Sequence, residues 1–226
     1  MIGYSAFNIN NTFNLYIITE FMSRGSLARV LSQDTCLSYR RRLDIAADIA
    51  CGMARIHDKN FIHRDIRPDN ILISYDYVAK IGDMGIAKEI VDKNNSMIGY
   101  NPFMPPEFFK GKYDKKLDIF TFGLTLNELF EGKNYPHNNN SSKIKEMGKF
   151  FEFIIKPCTD YNPDMRPTTE IVEINLKIFQ KVIIAIIANI LPNYTSYSLN
   201  KRNAAFKFFY DTILEKCFNN ELLINN

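Results

Sequence analysis

The spacing of apolar and polar positions divides the chain into a short strand-like opening and a long helical remainder. Leu15 to Met22 is an unbroken apolar, β-branched and aromatic run that stops at Ser23-Arg24-Gly25-Ser26, which predicts a buried strand entering a turn. Met1 to Tyr4 predicts the end of another strand, with Asn8 to Asn14 as an asparagine-rich hairpin loop between the two. Ser26 to Leu31 suggests a short helix. From Ser38 to Asp58, apolar positions Leu43, Ala46, Ala47, Ala50, Met53, Ala54 and His57 recur at helical spacing, so a long amphipathic helix is expected with Ser38 as its N-cap. Asp58-Lys59-Asn60 ends it. Ile71 to Ile73 and Val78 to Ile81 read as two short strands joined at Ser74 to Tyr77. Asp118 to Glu131 is apolar on nearly every face, the pattern of a helix inside a domain. Ile144 to Ile155 and Thr168 to Ile190 add helices on either side of a break from Pro157 to Pro167. Phe206, Phe209, Tyr210, Ile213 and Cys217 form a stripe on a C-terminal helix.

Composition narrows the class. At 226 residues and 46% hydrophobic, without a Pro/Gly/Ser-rich linker, the chain is expected to fold around one large core. Its net charge of +3, from 28 basic and 25 acidic residues, is spread along the sequence and offers no nucleic-acid footprint. Cys36, Cys51, Cys158 and Cys217 stand too far apart for C-x-x-C zinc pairs and are too few for a disulfide scaffold. Buried thiols in a reducing, cytoplasmic setting are expected, and the N-terminus shows no secretory leader. Val182 to Leu191 is the most apolar stretch, but Asn189 interrupts it and a bilayer span needs about 20 residues, so it reads as a core helix.

The chemistry concentrates between His63 and Gly85. His63-Arg64-Asp65-Ile66-Arg67-Pro68-Asp69-Asn70 is followed by an apolar run and then by Ile81-Gly82-Asp83-Met84-Gly85. An aspartate and an asparagine on one loop, with a second aspartate beyond a strand-like segment, suit Mg-ATP held against a hydroxyl nucleophile. Singly these residues say little, because H-x-D and D-x-G are common in turns. Together they resemble the catalytic loop and metal-binding turn of the eukaryotic protein kinases.

Further segments carry the same resemblance in the same order. Ile18-Thr19-Glu20-Phe21-Met22 resembles the hinge strand; Gly99 to Glu107 is similar to the segment that closes the activation loop; Asp118-Ile119-Phe120-Thr121-Phe122-Gly123 resembles D-V-W-S-F-G; and Asn162 to Pro167 resembles the late arginine motif. The resemblance runs to about Ile178 and implies an α+β, protein-kinase-like fold, mostly the helical C-terminal lobe with a remnant of the N-terminal sheet. Residues 1–180 would be a partial kinase domain and 181–226 a helical extension packed on it. The implied activity is ATP-dependent phosphorylation of protein hydroxyls, a signalling transferase using Mg²⁺. Asp65 would accept the substrate proton, Arg67 would place a cation at the transferring group, and Asn70 would act beside them. Asn70 and Asp83 would hold the metal. Thr19, as gatekeeper, with Glu20, Met22, Leu72 and Asp83, would bind the nucleotide. Asp118 would anchor the catalytic-loop backbone, and Arg166 would pair with Glu107 in a buried bridge.

Departures from the family pattern are also visible. No glycine-rich phosphate loop and no V-A-I-K-like lysine precede these motifs, so phosphate positioning by this chain is expected to be poor. Met84 replaces the usual Phe or Leu of the metal turn and is expected to keep its packing. Tyr100 and Arg67 leave Ser/Thr against Tyr specificity open. A catalytically silent, partner-binding module is the alternative; a small-molecule kinase is disfavoured by Pro106-Glu107 and Arg166. Arg40-Arg41-Arg42 reads as a solvated helix face or a docking patch, His57 as a residue that caps or packs the long helix, and Ser96 and Tyr100 equally as chance hydroxyls of a loop or as sites whose phosphorylation would recruit Arg64.

Overall fold

The computed structural model describes residues 3–9, 12–33, 37–90, 103–131, 151–190 and 198. Strands β1 (Gly3–Ile9) and β2 (Thr12–Ile18) pair antiparallel from Gly3↔Ile18 to Ile9↔Thr12. The asparagine-rich stretch is therefore mostly strand, with Asn8 opposite Phe13 and Asn14 opposite Phe7. Continuous ladder pairing outweighs the weak strand preference of asparagine there. Nor is β2 buried as expected: Tyr16, Ile17 and Ile18 are exposed, because among the described residues β1 and β2 form a sheet of their own, and two strands alone bury little.

After the turn at Ser23-Arg24 come β3 (Gly25–Ser26) and α1 (Leu27–Gln33). Helix α2 (Tyr39–Asp58) starts where the sequence places it: the Ser38 hydroxyl accepts from the Arg41 N–H at 3.3 Å. It stops as Asn60 turns left-handed at φ 59° and donates to His57 O at 3.0 Å. Burial on α2 is wider than one stripe. Ile45 and Ile49 are as fully enclosed as Leu43, Ala46, Ala50 and Met53, so this helix is the axis of the core.

Helix α2 is followed by β4 (Phe61–Ile62), β5 (Ile71–Ile73), β6 (Ala79–Ile81) and β7 (Lys88–Glu89). The sheet order β3-β5-β6 is antiparallel throughout, with Ile71↔Ile81 and Leu72↔Lys80 in register. Period-2 alternation buries Ile71 and Ile73 in the core and turns Leu72 to the other face. Strand β6 is tied to α2 where the Asp48 carboxylate accepts the Ala79 N–H at 2.9 Å. Strands β4 and β7 pair separately, Ile62 opposite Lys88.

Helix α3 (Lys116–Glu131) is buried around most of its circumference, as its sequence implies. Phe151–Ile155 is a π-helical turn that runs into α4 (Lys156–Cys158), and α5 (Thr169–Ile190) continues as one helix past residue 180. Residues 144–150 of the expected helix and the stripe from Phe206 to Cys217 lie outside the described residues, as do Cys36, Ser96 and Tyr100. The main core joins α1, α2, β5, α3, α4 and α5, while Ile62, Met104, Phe108, Tyr113 and Leu117 form a second cluster. Each fully buried Leu, Ile or Phe of these clusters contributes about 1.5–3 kcal/mol of transfer free energy before entropy. The fold is α+β and mostly helical, with small antiparallel sheets.

Candidate active site

The loop from His63 to Asn70 has little regular structure of its own, so its shape depends on outside partners. Helix α3 supplies them at helical spacing. The Asp118 carboxylate accepts the His63 N–H through Oδ2 and the Arg64 N–H through Oδ1, both at 2.8 Å. Two turns later the Thr125 hydroxyl donates to Ile66 O at 3.1 Å. Asp118 is fully buried, and its negative charge strengthens both backbone hydrogen bonds. The clamp holds Arg64 at φ 70°, a strained conformation for a non-glycine residue, directly before Asp65.

His57 completes this anchor. Its Nε2 lies 2.8 Å from Asp118 Oδ2 and its Nδ1 lies 2.5 Å from Thr169 Oγ1, linking α2, α3 and α5 beneath the loop. The one local signal for this link is the position of His57 on the buried face of α2. His63 reaches across to donate its Nε2–H to Gly82 O, 2.9 Å away. Arg64 is buried and donates to Ile86 O at 2.5 Å and to the Tyr113 hydroxyl at 3.2 Å, so it braces the segment after the metal turn.

The catalytic assignments Asp65, Arg67 and Asn70 come together. Asn70 Nδ2 donates to the Asp65 carbonyl at 2.9 Å and to Asp65 Oδ2 at 2.5 Å. Both bonds use the carboxamide nitrogen of Asn70 and fix the Asp65 carboxylate. Asp65 Oδ1 is buried without a hydrogen bond; Arg67 Nε faces it at 3.6 Å, and Arg67 Nη1 pairs with Asp69 at 3.2 Å. Glu128, on α3, lies within electrostatic reach of Asp69 and Arg67. Burial, then the negative charge of Asp69, pushes its carboxyl above the usual range, with Arg67 opposing.

Asp83 reaches the same place through backbone pairing. The Gly82 N–H donates to Asn70 O at 2.8 Å, which sets the metal turn beside the end of the catalytic loop. Close approach explains the glycine: a Cβ at Gly82 would lie 3.1 Å from Leu72 Cδ1 and 3.4 Å from Asn70 O. Asp83 itself is exposed and left-handed at φ 51°, and its Oδ1 accepts the Gly85 N–H at 3.1 Å. Met84 does not keep the expected packing. The residue is 48% exposed, because Met84–Ile86 is a surface 3-10 turn.

The nucleotide assignments are more dispersed. Met22 is buried, and Gly25, left-handed at φ 73°, donates to Met22 O at 3.0 Å while Arg24 N donates to Ile73 O at 3.0 Å. The turn thereby holds Met22 next to the strand carrying Leu72. Glu20 is exposed and paired with Lys80 of β6, a contact that sequence reading did not foresee. Thr19 sits exposed just after β2.

The late arginine motif is as expected. Arg166 meets Glu107 in a bidentate pair, Nη1 to Oε1 at 2.5 Å and Nη2 to Oε2 at 3.0 Å, with both residues buried. Arg166 also donates to Asp160 O and Lys116 O and lies over the Phe120 ring at 4.7 Å. The Arg40–Arg42 run, by contrast, is only partly a solvated face. Arg42 is half-buried and donates to Leu37 O and Leu129 O, because the start of α2 packs beside the end of α3.

A helical lobe with an aspartate-clamped H-R-D loop, an adjoining D-M-G turn and a buried Glu-Arg bridge is the arrangement of a protein-kinase-type domain. The protein kinase domain family matches residues 4–217, and the chain belongs to that family. It is 33% identical over 178 residues to a probable serine/threonine-protein kinase of Dictyostelium discoideum, covering 70% of this chain and 42% of that one. A probable LIM domain-containing serine/threonine-protein kinase of Dictyostelium discoideum is also 33% identical over 178 residues, covering 71% of this chain and 18% of its own length. Protein-tyrosine kinase 6 of Homo sapiens is 35% identical over 134 residues, covering 57% of this chain and 30% of its own. The chain thus spans less than half the length of these curated relatives.

Proposed function

We propose that this protein is an ATP-dependent protein kinase whose phosphoryl acceptor is a protein hydroxyl. The observation that carries the reading is the joint placement of Asp65, Asn70 and the Asp83 turn by Asp118 and Gly82. Asp65 takes the acceptor proton through its carboxylate, and Arg67 offsets the negative charge of the transferring group as the hydroxyl oxygen bonds to phosphorus and ADP departs. Magnesium suits the donor types, since the Asn70 carboxamide oxygen and the Asp83 carboxylate are hard oxygen donors on a loop and a turn joined by the bond from Gly82 N–H to Asn70 O. Held there, the ion would neutralise phosphate charge. Leu72 is the apolar surface offered to adenine, with the backbones of Glu20 and Met22 facing it and Thr19 at the hinge.

A cytoplasmic location belongs to this reading. It is supported by the free thiols Cys51 and Cys158, the latter pushed by burial up to about 12 and therefore protonated at neutral pH. Among the described residues no helix is long and apolar enough to cross a membrane. The second reading, a silent kinase-like binding module, is favoured by one feature: the 226 residues contain no G-x-G-x-x-G.

One experiment separates the two. Mg²⁺-dependent ATP binding is measured by calorimetry in the wild type, Asn70→Ala and Asp83→Ala, alongside phosphate transfer to Ser, Thr and Tyr peptides. Magnesium-dependent binding lost in both variants, with transfer to any of the three, supports the kinase. Transfer or binding indifferent to both substitutions would sink it.

A further inference from the structure

The guanidinium groups around Tyr77 take no part in the site above, where Arg24 contributes only its backbone N–H. The Arg24 guanidinium carbon lies 3.8 Å from the Tyr77 ring centroid and the Arg41 carbon 4.1 Å from it, so two cations share one ring. Arg24 also lies 5.4 Å from the ring of Tyr75. Its Nε donates to Tyr75 O at 2.8 Å, and Arg29 Nε donates to Gln33 Oε1 at 3.3 Å. Each of these two side chains is therefore held by its inner nitrogen, leaving the outer Nη edge for another acceptor.

Arg24 and Arg29 line one cleft of about 390 Å³ with Ser23, Gln33 and Tyr77, over a floor at Val30. Among the described residues, Arg24, Arg29 and Arg41 have no carboxylate partner. Like charges gathered without counter-charge make a local positive potential that draws an anion. Two guanidinium edges offer more donors than one carboxylate accepts well. A phosphate monoester brings three acceptor oxygens and a charge of about −1.5 to −2 at neutral pH, which matches them better. Ser23, Arg29 and Gln33 are exposed, so the cleft opens at the surface to a group carried on another chain.

We propose that the cleft between the Ser23-Arg24 turn, helix α1 and Tyr77 binds a phosphorylated side chain of a partner polypeptide. The inference does not rest on phosphoryl transfer by this protein. The probe is a fluorescent peptide with one phosphotyrosine between Gly/Ser flanks, titrated with the 226-residue chain by anisotropy; its phosphoserine and unphosphorylated forms and inorganic phosphate serve as comparisons. Expected is saturable binding of the phosphorylated peptides, weakened by salt, competed by inorganic phosphate, and reduced about tenfold or more by Arg29→Gln and Arg24→Gln. Arg29 is exposed, so Arg29→Gln keeps the test readable even if losing the Arg24 bond to Tyr75 O loosens the turn. Equal affinity for phosphorylated and unphosphorylated peptides overturns the proposal. Binding unchanged in Arg29→Gln, or competed by ATP but insensitive to that substitution, overturns it as well.

Discussion

Arg166 and Glu107 sit 59 positions apart in sequence and share one buried, bidentate contact. Removing one member leaves the other charge enclosed without its partner, at a cost of about 3–5 kcal/mol. Arg166→Ala is therefore expected to lower the denaturation midpoint far more than Arg41→Ala, whose side chain is exposed over Tyr77. Similar small shifts in both would remove the bridge from the account. Asp48 offers a test of opposite sign. Burial pushes its carboxyl above the ordinary range, against the lowering influence of the Ala79 N–H and with Asp44 adding repulsion. A raised folded pKa means the folded state holds the proton more tightly, so stability from this group is full below about pH 4 and is lost as pH rises through the folded value. Asp48→Asn keeps an oxygen for Ala79 and removes the ionisation. Its stability relative to wild type should improve as pH rises from about 4 through the folded value and level off above it; a pH-independent difference contradicts the burial effect.

At the scale of elements, α3 organises both the chemistry and the core. Asp118→Asn replaces one of two accepting oxygens with an NH₂ group, so at least one of the His63 N–H, Arg64 N–H and His57 contacts is lost. Hydrogen exchange at His63 and Arg64 should quicken markedly in this variant while the Leu43–Met53 stretch of α2 stays protected; unchanged exchange at the loop would show that Asp118 does not hold it. Gly123 marks where α3 meets α4. A Cβ there would lie 2.7 Å from Thr159 Cγ2 and 2.9 Å from Cys158 Cβ. Alanine in mid-helix normally gains about 0.5–1 kcal/mol over glycine, but an overpacked contact costs about 1–3, so Gly123→Ala should be net destabilising by urea titration. A stabilised variant would mean the helices can separate freely. These elements were legible in sequence to different degrees for physical reasons. Ser38, Asn60 and the apolar period of α2 fix a helix locally, and the motif order around Asp65, Asn70, Asp83 and Asp118 fixes a site, because each residue type answers one chemical need. The exposure of Ile17 and Ile18, the His57–Thr169 link and the Glu20–Lys80 pair depend on which elements meet in space. No local period encodes that.

For the whole molecule, the kinase reading requires the helical side to supply acid-base chemistry and metal ligands, with phosphate positioning supplied by a glycine-rich loop and a lysine. The 226 residues lack both motifs, and positioning contributions multiply in rate. This chain alone is therefore expected to transfer phosphate only weakly, and fusion to a complete kinase N-terminal lobe should raise the rate. The decisive measurement is labelled γ-phosphate transfer from Mg-ATP to a mixed Ser, Thr and Tyr peptide set by that fusion, wild type against Asp65→Asn. Transfer is expected in the wild type, with a loss of about 10²–10⁴-fold in the variant and Mg-ATP binding retained. Equal transfer by both, or none from a wild type that binds Mg-ATP, would contradict the assignment of Asp65 as catalytic base.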